Sequence, residues 1–110
     1  MSTRIRRNIH LLEVLRKASP TLRKELLKSG GNDLTKSICE CVENVLNGNV
    51  KLTASQRRKL LRHKQALRRI ASSQSIGARK RYINQQGGAF LPALLAAAIP
   101  AIIQLIHGAR

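Results

Sequence analysis

The amino-acid sequence predicts an all-α protein: a small bundle of about four short helices, then a basic linker and an apolar C-terminal helical tail. Three observations predict it. Apolar residues from Ile5 to Ile70 recur every three or four positions, the spacing of one helix face. Residues that start and stop helices fall between those runs. Charge is also partitioned: the 110-residue chain carries a formal +16, yet no Asp, Glu, Lys or Arg lies between Tyr82 and Gly108. The division expected is a basic helical domain over 1–72, a basic, glycine-ended linker over 73–88, and an apolar segment over 89–110.

The first helix runs from about Thr3 to Lys17, with Ile5, Ile9 and Leu12 on one face and Leu11 and Leu15 beside them. Ser19-Pro20 stops it and starts the second, with Ser19 as N-cap and Pro20 at the first helical position. Leu22, Leu26 and Leu27 form the second stripe, and Gly30-Gly31 ends it. Asn32 or Asp33 is the expected cap of a third helix through Leu46, with Leu34, Ile38, Cys41, Val42 and Val45 inward. Asn47-Gly48 closes that helix, and Asn49 to Leu52 form a short connector.

Thr53-Ala54-Ser55-Gln56 has the form of a capping box opening a fourth helix, Ala54 to Ser72. Leu60, His63, Leu67, Ile70 and Ala71 take one side of it, and basic residues take the rest. Ser72 to Gly77 reads as a polar hinge, and Ala78 to Asn84 as a further helical turn or two. In the tail, Pro92 suits a first helical turn, while Pro100 is expected to kink or end the helix.

Charge narrows the function. Twenty-one Lys and Arg face five acids (Glu13, Glu25, Asp33, Glu40 and Glu43), and from Lys51 to Arg81 there are eleven cations and no acid. Such self-repulsion calls for a polyanion, either nucleic acid or an anionic membrane. The expected phosphate contacts are Arg57, Arg58, Lys59, Arg62, Lys64, Arg68, Arg69, Arg79, Lys80 and Arg81. Tyr82 and Phe90 are the only aromatic residues, which disfavours a single-strand binder that stacks bases. The Arg57-Arg58-Lys59 and Arg79-Lys80-Arg81 clusters also match a bipartite nuclear import pattern.

Catalytic constellations are absent. The acids are few and sit at solvent-face positions, and His10, His63 and His107 lack Cys or acid at metal-ligand spacing. Gly30-Gly31 and Gly87-Gly88 lack the Lys-Ser/Thr of a phosphate loop. No enzyme activity, cofactor or metal is expected. Cys39 and Cys41 point to different sides of a helix, so two reduced thiols are expected, at least one buried. The N-terminal run enters an amphipathic segment without a continuous apolar stretch, so no secretory signal is expected.

The apolar tail leaves three readings open: a membrane span, oblique insertion, or burial in a protein groove or oligomer. Its length is marginal for a span and it holds two prolines. The residues expected to meet a membrane or partner are Phe90, Leu91, Leu94, Leu95, Ile99, Ile102 and Ile103.

Gly87-Gly88-Ala89-Phe90-Leu91-Pro92-Ala93-Leu94-Leu95 and the Ala/Ile-rich run after it resemble the C-terminal part of adenovirus core protein X, the mu precursor. The Lys51–Arg69 region, within NVKLTASQRRKLLRHKQALRR, and the Cys39–Val50 block are similar to the X-like proteins of adintoviruses and Maverick/polinton elements. The resemblance covers most of the chain, with the glycine–FLPALL join its most specific part.

The resemblance implies a virion core protein, found in the virion and host nucleus, that binds and condenses double-stranded viral DNA without sequence preference. It also implies processing at Gly87-Gly88 by a viral cysteine protease. Three departures stand out: Ala89 is inserted before Phe90, the basic segment is a patterned helix rather than a dense arginine run, and Gln85 takes a position where that protease prefers an apolar residue. The alternative is a membrane-active virion protein whose tail acts during entry. A third reading is an adaptor, with the tail in a groove of a capsid or host protein.

Overall fold

A computed structural model describes residues 3–73 and 75–108, the surroundings of side chains 86, 87, 89 and 105–108 excepted. Among these residues the regular structure is helical, in six helices: α1 (Thr3–Lys17), α2 (Pro20–Ser29), α3 (Gly31–Leu46), α4 (Ala54–Leu61), α5 (Lys64–Ser72) and α6 (Ile76–Gly108). Two stretches of α6, Ile76–Gln85 and Phe90–Gln104, meet at 110°. Among the described residues there are therefore seven helical pieces, not about four.

Local signals set the early boundaries. Ser19 Oγ accepts a hydrogen bond from the Leu22 N–H, with Pro20 in the first turn. The Arg23 guanidinium, largely buried, donates to the Leu15 and Ala18 carbonyls and so caps the end of α1. Both members of the Gly30-Gly31 pair are required, for different reasons. A Cβ on Gly30 would collide with the Leu34 side chain and lie 2.8 Å from the Leu26 carbonyl, while Gly31 has φ +70°.

The third helix thus begins at Gly31, ahead of the expected Asn32 or Asp33 cap. Asp33 is engaged elsewhere. Its carboxylate accepts from Arg4, Arg7 and Asn8, at 3.3, 2.9 and 2.7 Å, and fastens α1 to α3. The Asn8 hydrogen bond, with the two arginines, holds the Asp33 carboxyl below its usual range.

The expected fourth helix is two. The Thr53 capping box is formed in both directions, Gln56 N–H to Thr53 Oγ1 at 3.1 Å and Thr53 N–H to Gln56 Oε1 at 2.9 Å. The helix then breaks at Arg62-His63, where the His63 N–H donates to the Leu60 carbonyl at 2.9 Å. The break lets α4 set Leu60 against α6 while α5 packs Leu67 and Ile70 on α3 and α6. The expected basic linker is helical too: Ser75 Oγ accepts from the Ala78 N–H, and the basic arm Ile76–Gln85 follows. Within the expected hinge, Gln74 lies outside the described residues.

The apolar segment that the sequence sets apart is packed inside the bundle. Eight of the twenty-two buried hydrophobic residues described lie from Phe90 onward, and α6 packs against each of the other five helices. Asn84, Gln85 and Gly88, at the bend, line a recess with Pro20 and Leu27 of α2, and Ala101 and Gln104 near the end of the apolar arm line one with Gly48, Asn49 and Lys51. Full burial of a large apolar side chain contributes about 1.5–3 kcal/mol. Six such side chains (Phe90, Leu91, Leu94, Leu95, Ile99 and Ile102) contribute on the order of 10 kcal/mol, as large as a typical net stability. Tyr82 stacks on Phe90 across the bend, with ring centroids 6.4 Å apart.

Pro92 falls in the first turn of the apolar arm, as expected. Pro100 does not end the helix, which runs on to Gly108. Both Pro100 and Ala96 are exposed, so the carbonyl that Pro100 deprives of a donor is placed on the solvent side. Glycines at the bend fit the sharp change of direction, since a glycine pair resists a helix least at a kink.

These features separate two substitutions in one helix. Leu94→Ala is expected to lose about 2–5 kcal/mol of stability in urea unfolding, and Pro100→Ala to gain up to about 3 kcal/mol. An unchanged midpoint for Leu94→Ala would remove the apolar arm from the core.

Candidate nucleic-acid interface

The expected cations lie on three consecutive helical pieces, α4, α5 and the basic arm of α6, with Arg62 in the break between the first two. Each piece buries at least one large apolar side chain (Leu60; Leu67 and Ile70; Ile83), and that fixes which cations face water. Arg57, Arg58, Lys59, Arg62, Lys64, Arg68, Arg69 and Arg81 are exposed, and Lys80 is half-buried. Arg57, Lys64 and Arg68 line one recess. Arg69 and Arg81 line another, of about 230 Å3, with Tyr82. The Arg69 guanidinium carbon stands 5.4 Å over the Tyr82 ring, a cation–π contact that holds it between α5 and α6.

Arg79 is placed differently from the other nine. Its Nε donates to the Ser73 carbonyl at 2.8 Å and its Nη2 to the Ala71 carbonyl at 3.3 Å, and Nη1 lies 3.6 Å from Glu43 Oε1. Its side chain is only 21 % exposed. It closes the end of α5 and ties the turn before α6 to α3. Sequence spacing grouped it with Lys80 and Arg81 because a run of cations carries no record of which one turns inward.

The acids explain the field around these cations. Glu13 pairs with Arg16 and Lys17, Asp33 with Arg4 and Arg7, Glu40 with Arg4, and Glu43 with Arg79. The Arg16 hydrogen bond holds Glu13 below the usual carboxylate range. Four of the five acids are thus committed to the α1–α3 side or to Arg79, and α4 and α5 carry none. Exposed pairs of this kind stabilise weakly, but they cancel positive charge locally and leave the rest of the surface uncompensated.

Seven described cations outside the expected set are also exposed: Arg7 and Lys17, which pair with acids, Lys51 in the connector, and Arg6, Lys24, Lys28 and Lys36 on α1, α2 and α3. Lys24 and Lys28, four apart on one helix, were the signal available in the sequence.

The expected membrane or partner contacts lie within the bundle. Phe90, Leu91, Leu94, Leu95, Ile99 and Ile102 are buried and Ile103 is half-buried. Among the described residues no single helix is long and apolar enough to cross a membrane. The two arms of α6 reach that composition only together, across their 110° bend. Gly88 is exposed and a Cβ there would meet open space; the surroundings of Gly87 lie outside the described residues.

Cys39 and Cys41 are free and buried. Burial pushes the Cys41 thiol up to about 12, and raises Cys39 against the opposing influence of Arg79 beside it. Neither is placed as a nucleophile. No group of three His, Cys, Asp or Glu among the described residues is gathered as metal ligands would be.

Arg79→Gln is expected to lower stability by about 1–3 kcal/mol in thermal or urea unfolding, from the lost charge-assisted bonds to two carbonyls. Arg81→Gln, two positions on, is expected to leave stability unchanged. Equal effects would contradict the separate placement of Arg79.

No family model, curated protein or solved structure matches this chain.

Proposed function

We propose that the protein binds and condenses double-stranded DNA without sequence preference, as a virion core protein, using α4, α5 and the basic arm of α6. The observation that carries this reading is eight exposed cations on consecutive helical pieces that contain no acid. Phosphates attract such a surface, and release of their condensed counterions supplies the affinity. Arg6, Lys24, Lys28 and Lys36 give further cations on the α1–α3 side, and a second contact surface is what bridging two duplexes requires. With the bases left unread, sequence preference has no structural source.

The virion and nuclear part of the proposal rests on the resemblance to core protein X and its X-like relatives. Processing after Gly88 fits the proposal poorly, because it would detach the core residues from Phe90 onward. We therefore read the chain as acting intact. The membrane-active alternative requires the same residues to leave the core.

The test is duplex binding by fluorescence anisotropy across a salt series. If the eight exposed cations each neutralise a phosphate, the log–log slope is near about −7, and Arg58→Gln reduces it by about 1 without changing stability. A slope near zero would overturn the electrostatic reading.

A further inference from the structure

The corner between α3, α4 and α5 holds a groove of about 380 Å3 whose floor phosphate binding does not explain. Val50, Leu60 and Leu67 form its buried base. Leu46 and Leu61 also line it and remain 37 % and 55 % exposed, two of the four large apolar side chains exposed among the described residues. Arg57, Lys64 and Arg68 are the charged residues of the lining, and no acid belongs to it.

Phosphates leave exposed leucines uncovered. A second copy of the chain would bring +16 against these same cations. The matching occupant carries an apolar stripe with carboxylates beside it. Arg57 and Leu61 are four residues apart on α4, and Lys64 and Arg68 four apart on α5, so the groove takes its cations from two helices joined by the break at Arg62-His63.

We propose that this groove docks an acidic amphipathic helix from a protein partner. Its apolar side chains cover Leu46 and Leu61, and its carboxylates lie beside Arg57, Lys64 and Arg68. These three cations also belong to the proposed duplex face. On that reading, which this corollary alone rests on, helix and duplex exclude one another.

The experiment uses the intact chain and a fluorescein-labelled peptide of Leu, Glu and Ala, with Leu at i, i+4 and i+7 and Glu flanking the stripe. A control peptide has the same composition with the leucines spread around the helix. At about 0.15 M salt, where long-range attraction is screened, the striped peptide is expected to bind at least about tenfold more tightly than the control. Leu61→Ser and Leu46→Ser each erase that difference while circular dichroism stays unchanged, since both side chains are exposed.

Equal binding of the two peptides would overturn the proposal, because general attraction to a polyanion would then suffice. So would a preference that survives Leu61→Ser, or binding confined to phosphatidylglycerol vesicles. Displacement of a labelled duplex by the striped peptide tests the exclusion. If no duplex binds at all, the DNA reading fails, while the peptide measurements still decide the groove.

Discussion

One uncharged helical arm buries its apolar face against the five other helices, and the rest of the structure depends on it. A body carrying +16 resists compaction, and the buried apolar side chains of α1 to α5 are spread over five short helices that need a common partner to pack on. Phe90, Leu91, Leu94, Leu95, Ile99 and Ile102 supply that partner from a single helix, which packs against all five. The fold can therefore place nearly all its charge outside. The property that made the tail look like a separate module, its lack of charge, is what suits it to the centre.

That arrangement also determines which cations are available. The acids secure α1 to α3 through Asp33 and Glu40, and one arginine, Arg79, is drawn into the junction of α5, α6 and α3. What remains on α4, α5 and the basic arm is exposed and uncompensated. The stack of Arg69 on Tyr82 on Phe90 connects this surface to the buried arm, so the site and the core share a side chain chain of contact rather than standing apart.

Features encoded by neighbours in sequence were legible: the Ser19 cap with Pro20, the Thr53 box, the stops at Gly30-Gly31 and Asn47-Gly48, and the inward faces of α1, α3 and α5. Each depends on contacts within about one helical turn. Features decided between helices were not. The break at Arg62-His63 serves two packing directions that a periodicity cannot express, since Leu60 and Leu67 fit one straight stripe equally well. Asp33 is suited to a cap by type, but three donors from α1 claim it. The tail's place was not legible because an all-round apolar run reads alike in lipid, in a partner's groove and in its own protein's core. Of the candidate site, the identity of the exposed cations was legible from charge alone, whereas the inward turn of Arg79 was not.

Native-state hydrogen exchange of the intact chain tests the central claim most directly. If the apolar arm is the core, the amides from Leu94 to Ile99 exchange among the slowest in the protein, with opening free energies equal to that of global unfolding. Rapid exchange across Leu94 to Ile99 while α1 and α3 remain protected would contradict it, and would make the arm a module separate from the bundle.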